Sequence, residues 1–235
     1  MKFFRKIRQK LIKSGNLKRY LLYAVGEILL VMIGISLAFR VDSWNEDRIN
    51  KEAEIKYYQN IKDQISKDRA SIENEMSYND LHMLQFAYAS EIVENDDRDK
   101  LDTLGMIARK LTNYSDFDRR GNIYETMVNS GEIKLLQNTK IVKGTRELEE
   151  TYMHINRIEN IHYDAMMRYA APALSSTVKW STGVIQKPEE LYTYEFQNLI
   201  EILMQVMLEK DDTYKEALRE IDLLTALINE ELVLQ

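Results

Sequence analysis

A carboxylate inside an otherwise apolar run is the group in this chain best placed to do chemistry. The run is YLLYAVGEILLVMIGISLAFR, residues 20–40, and the acid is Glu27. Inserting a charged carboxylate at such a depth costs about 2.5–3.5 kcal/mol, so Glu27 is expected to be neutral, paired or turned towards protein. Glu27, Val31, Gly34 and Ala38 follow at steps of four, three and four, which puts them on one helical stripe. Gly34 and Ala38 are small enough for a second helix to approach closely in lipid. Tyr23 lies one turn before Glu27 and is a candidate local partner for it. Glu27, Tyr23, Gly34 and Ala38 are therefore the intramembrane candidates. A carboxyl group hydrogen-bonding across a helix interface uses all four; a proton or ion pathway, completed by a multi-span partner, and an acid merely tolerated near the membrane surface are the alternatives.

Beyond that stripe the chain is poorly equipped for catalysis. It has no Gly-rich phosphate loop, no G-x-S-x-G elbow, no H-E-x-x-H and no cysteine, so thiol chemistry and disulfides are excluded. Its three histidines include His154 and His162, which stand eight apart, about 12 Å along a helix and too far to chelate one ion unaided. Glu150 with His154 and Glu159 with His162 have the spacing of helical pairs. The acidic runs Glu94 to Asp97 and Glu147 to Glu150 lack the spaced ligands and glycine of a calcium loop and read as a solvated face. Fourteen tyrosines, Tyr58, Tyr152, Tyr169 and Tyr192 among them, read as core residues with their hydroxyls at the rim. No catalytic, cofactor-binding or metal constellation is expected, and no cofactor.

The element that must position Glu27 is a membrane-spanning helix. Leu21 to Phe39 is 19 residues, about 28 Å at helical rise against about 30 Å of hydrocarbon. That is too long for the apolar core of a cleavable signal peptide. Residues 1–20 carry eight Lys or Arg and no acid, whereas residues 41–235 carry 23 basic and 37 acidic groups. The positive-inside rule then leaves the amino terminus in the cytoplasm and carries the carboxy-terminal body across the membrane. In MKFFRKIRQKLI, Phe4, Ile7 and Leu11 form one stripe, with Lys2, Arg5, Lys6, Arg8 and Lys10 around the rest. That is a short surface helix on anionic headgroups, ended by Ser14-Gly15-Asn16. Trp44 is an interface aromatic at the far end of the span. The acidic body repels phosphate backbones, so no nucleic-acid partner is expected.

After the span the pattern is helical throughout. Residues 41–104 contain neither Gly nor Pro, and Ile55, Tyr58, Ile61, Ile65, Ile72 and Met76 keep helical spacing. Ser77-Tyr78-Asn79-Asp80 is the expected kink and Glu94 to Asp97 the expected end. Further helices are expected over 99–113, over a short stretch stopped at Ser130-Gly131, and from Thr139 to about Ala171, where Pro172 kinks or ends the last. KWSTGVIQKPEE is a loop leading to a helix start at Pro188. The Tyr192 to Val206 stripe and the Tyr214 to Ile228 stripe, separated by Lys210-Asp211-Asp212, read as a helical hairpin joined by a short turn. The fold class is all-α: a transmembrane helix followed by a bundle of long amphipathic helices.

FFRKIRQKLI, RYLLYAVGEILLVMIGISLA, SWNE and YETMVNSGEIKLLQN resemble an uncharacterised family of single-span inner-membrane proteins of Bacteroidetes-type Gram-negative bacteria. The likeness is strongest over residues 3–46 and weaker around 123–138. Where members carry neutral amides just past the span, this chain has Arg40, Asp42 and Ser43. The resemblance implies a periplasmic helical domain on an inner-membrane anchor, with no activity attached. The expected organisation is a basic cytoplasmic segment over 1–19, a transmembrane helix over 20–40 and a periplasmic α-helical domain over 41–235. The expected role is an interaction module, a scaffold or sensor that self-associates or binds a membrane-protein partner. An accessory subunit of an ion-conducting complex using Glu27 is the alternative.

Overall fold

The computed structural model describes residues 17–117 and 121–234. The basic segment with Lys2, Arg5, Lys6, Arg8 and Lys10, and the break at Ser14-Gly15-Asn16, lie outside the described residues. The chain divides into two compact units, Met1–Glu54 and Ile55–Gln235.

Among the described residues of the first unit the fold is helix alone, the opening part of α1, Leu17–Glu94. Its stretch from Leu21 is long and apolar enough to cross a membrane. None of that window is buried by protein, and large side chains such as Leu22, Leu30 and Phe39 are 77%, 67% and 69% exposed. Water would oppose such a surface at about 25 cal/mol per Å² of apolar area.

The second unit is built on three long helices: the later part of α1, α4 (Thr139–Ala165) and α7 (Tyr194–Leu234). Side-chain bonds set their directions. Lys62 reaches Asn229 and Ser90 reaches Glu201, so α1 and α7 are antiparallel. Asn138 reaches Glu231 and Lys210 reaches His162, so α4 and α7 are antiparallel too. On α7 the buried positions run 200, 203, 207, 210, 214, 217, 221, 224 and 228, alternating steps of three and four without a break. That is the seven-residue repeat of helices packed along a shared seam.

Shorter elements close the bundle. They are α2 (Leu101–Ala108) between two 3₁₀ turns, α3 (Ile123–Ser130), α5 (Ala171–Thr177) and α6 (Pro188–Leu191). Asn122 caps α3 by accepting from the Glu125 N–H at 2.8 Å, and Gly131 ends it at φ +75°, the left-handed cap its sequence called for. Helix α1 ends at Glu94, followed by Asp96 at φ 48°.

Three local expectations are corrected. Lys210–Asp212 does not turn but lies inside unbroken helix, and α1 likewise runs uninterrupted through Ser77–Asp80. Pro172 does not end its helix, because a π-helical stretch, Met166–Ala170, widens the preceding turn and α5 continues to Thr177. The stretch expected as a loop holds a small antiparallel hairpin, Val178–Lys179 with Val184–Ile185, turned at Gly183.

The core comes in two apolar halves. One gathers Phe86, Leu104, Leu174, Phe196 and Leu203; the other gathers Tyr58, Ile65, Phe117, Tyr152 and Ile221. Along each long helix the two halves are separated by polar residues, and those residues are buried as well.

Candidate functional site

Each long helix contributes polar groups at the same level of the bundle: Glu75 and Asn79 from α1, Glu159 and His162 from α4, Lys210 and Asp211 from α7. Lys210, His162 and Glu159 are 0%, 1% and 3% exposed, values ordinarily found for leucine. Asp211 pairs with Lys215 at 2.6 Å. The amide of Asn79 donates to the Met207 carbonyl at 3.0 Å, tying α1 to α7.

Unpaired buried charge is costly, so such a layer persists only where its polar atoms find partners. The extended segment Tyr114–Phe117 supplies many of them from its backbone. Its Phe117 N–H donates to Glu159 Oε1 at 2.8 Å, and its Asp116 N–H donates to Glu75 Oε2 at 3.2 Å. Its Ser115 carbonyl accepts from Lys210 Nζ at 3.1 Å. One short segment is thus bonded to side chains of all three long helices. Tyr214 Oη adds a second donor to Glu159 Oε1. An ammonium can only donate, so the 3.2 Å contact from Lys210 Nζ makes His162 Nδ1 an acceptor and the imidazole neutral, with its proton on Nε2. The Tyr114 ring meets the His162 ring edge-on at 6.2 Å.

These surroundings move three titrations towards neutral pH or away from charge. Burial pushes the Glu159 carboxyl up to about 7, against the opposing bonds from Tyr214 and Phe117. Burial, reinforced by the Lys210 charge, pushes His162 down to about 3. Burial pushes Lys210 down to about 8, against the pull of Glu159, Glu75 and Asp116. Burial also raises Tyr214, with the Glu159 charge adding to it, and raises Glu75.

The layer borders a cavity at the surface. Glu159 forms part of the wall of a cavity of about 390 Å³ with Tyr114, Asp116, Asn156, Asn160 and Tyr163. Its Oε2 is buried without a hydrogen-bond partner. Among the described residues no group of three or more His, Cys, Asp and Glu is arranged to hold a metal ion.

The residues singled out in the sequence fall differently. Gly34 and Ala38 are exposed on the first unit's helix, and a Cβ added at Gly34 would meet nothing within 4 Å. Trp44 is 69% exposed. Glu27 is half-buried and has a polar partner, but the Tyr23 hydroxyl is not that partner, being itself buried without a hydrogen bond. Tyr58 and Tyr152 are core, as read, whereas Tyr169 and Tyr194 are 65% and 71% exposed. The pairing expected of Glu159 with His162 gives way to bonds with Phe117 and Tyr214 on one side and Lys210 on the other.

Fold and site together define an all-α protein: one helix apolar enough to cross a membrane, and a helical unit whose core is divided by a buried polar layer. The chain belongs to the family of unknown function DUF6090, whose model matches residues 27–211 and so takes in Glu27, Glu159, His162 and Lys210. No curated protein and no solved structure matches it.

Proposed function

We propose that the protein is a membrane-anchored interaction module: residues 20–40 span the inner membrane, the amino terminus is cytoplasmic, and the helical unit works as a periplasmic scaffold or sensor. The observation that carries the reading is the largely exposed apolar surface of residues 21–39, which lipid or another apolar helix would cover. The eight-to-none basic bias before the span supports the orientation. Self-association uses the stripe of Glu27, Val31, Gly34 and Ala38, where the backbone is open to close approach.

The chain has no cysteine, so single introduced cysteines report directly. In membranes, Gly34→Cys and Ala38→Cys are expected to form intermolecular disulfides, whereas Leu29→Cys and Ser36→Cys, on the opposite face, are not. A reporter enzyme that works only outside the cytoplasm is expected to be active after Gln235 and silent before Met1. The reverse pattern refutes the orientation, and equal cross-linking on both faces refutes the interface.

A further inference from the structure

We propose that the cavity beside the polar layer is a binding site for a small organic cation carrying N–H donors, a primary amine or a guanidinium. The site is independent of the membrane reading and goes beyond it.

The wall offers acceptors and ring faces. Asp116 and Glu159 contribute carboxyl groups, and Tyr114 and Tyr163 stand with ring centroids 5.5 Å apart at 57°, a corner that presents π surface to a cation. The Asn160 amide nitrogen spends one of its two N–H groups on the Asn156 carbonyl at 2.8 Å, and its Oδ1 can accept from a ligand. Glu159, 3% exposed, forms part of the wall, with Oε2 buried and unpartnered while Oε1 takes both protein donors. A buried acceptor without a donor is the expected mark of a site completed by something other than the chain.

Competing ligand classes fit less well. An anion would face two carboxyl groups, while Lys210 is committed to Ser115 and His162 and does not line the cavity. A calcium ion needs about six to eight oxygen ligands, whereas among the described residues no group of three or more His, Cys, Asp and Glu is arranged to hold a metal ion, and Glu159 Oε1 is already taken by Phe117 and Tyr214. The volume of about 390 Å³ suits a small molecule.

Glu159 also makes binding visible as proton movement. The groups around it are Glu75 from α1, Asp116 and Tyr114 from the crossing segment, His162 and Tyr163 from α4, and Lys210 and Tyr214 from α7. With its titration near 7, Glu159 is part-protonated at neutral pH, and a cation beside it favours the carboxylate.

The test is isothermal titration of the full chain in detergent with butylamine and agmatine, in buffers of differing ionisation enthalpy. Tetramethylammonium, which has no N–H, and acetate serve as controls. Both amines are expected to bind and to release about half a proton per ligand near neutral pH, falling towards none well above it. Glu159→Gln is expected to weaken binding by about tenfold or more and abolish the proton release. Asp116→Asn, at an exposed residue whose backbone bond to Glu75 is untouched, is expected to weaken binding several-fold while helicity stays intact. Absence of amine binding, unchanged affinity in both variants, or equal binding of tetramethylammonium overturns the proposal.

Discussion

The two units invert the ordinary rule of burial in opposite ways. In the first, a run of leucine, isoleucine, valine and phenylalanine stands more than half exposed. In the second, a lysine, a glutamate and a histidine are sealed more completely than many of its leucines. The exposed apolar run needs a covering, and its length fits the hydrocarbon thickness of a bilayer. The buried polar groups need partners, and the crossing segment Tyr114–Phe117 supplies several of them. Polarity alone therefore locates neither surface nor core in this chain; what matters is whether a residue keeps the phase of its helix.

Removing residues 21–39 should have the largest effect. The chain is expected to move entirely from the membrane to the soluble fraction, read by ultracentrifugation, with strong helical circular dichroism retained. Membrane retention after that deletion would break the comparison from the side of the first unit.

Lys210 is the most sensitive position in the second unit. Lys210→Ala leaves a void and strips the Ser115 carbonyl and His162 Nδ1 of their donor, an expected loss of about 3–4 kcal/mol in denaturant unfolding. Lys210→Met fills the space, and Glu159 can take a proton as the charge beside it disappears, so an expected loss of about 1–2 kcal/mol follows. A large loss for Lys210→Ala with none for Lys210→Met would mean that volume, rather than the polar network, matters there.

The layer also carries a paired pH dependence. Glu159 has a raised folded pKa, so its contribution is fully present below about 4.5 and is lost as pH rises through about 7. His162 has a depressed one, so its contribution is present above about 6.5 and is lost as pH falls towards about 3. Between about 4.5 and 6.5 the two slopes, each about 1.4 kcal/mol per pH unit, oppose and cancel. Glu159→Gln should uncover stability that rises with pH in that window, and His162→Gln stability that falls. Parallel pH curves for parent and both variants would show that the groups are not buried as described.

The smallest effect belongs to Gly131, at φ +75° with open space where a Cβ would stand. Gly131→Ala is expected to cost about 1 kcal/mol, from left-handed strain alone.

Helical character, the span-length apolar run, the Gly131 cap and the end of α1 at Glu94 were legible in the sequence, because each rests on local chemistry or on a long period. The layer was not, because Ser77–Asp80 and Lys210–Asp212 look like the polar clusters that break helices. The signal that distinguishes them is phase. On α7 the apolar stripe resumes after Lys210 in the register it had before, from Leu203 and Met207 to Tyr214 and Ala217. On α4, Tyr152, Ile155, Glu159, His162 and Met166 keep the same steps. A turn would reset that register; a polar residue at a core position does not. What no pattern in one helix could supply is convergence, which depends on how three helices and a connecting segment align.

The most direct measurement is an NMR titration of the full chain in detergent with its lysine side chains carbon-13 labelled, the Lys210 signal assigned from Lys210→Met. A lysine sealed in the layer titrates near 8. A lysine in a solvent-exposed turn titrates at the ordinary value of about 10.4, and that result for Lys210 would contradict the buried layer outright.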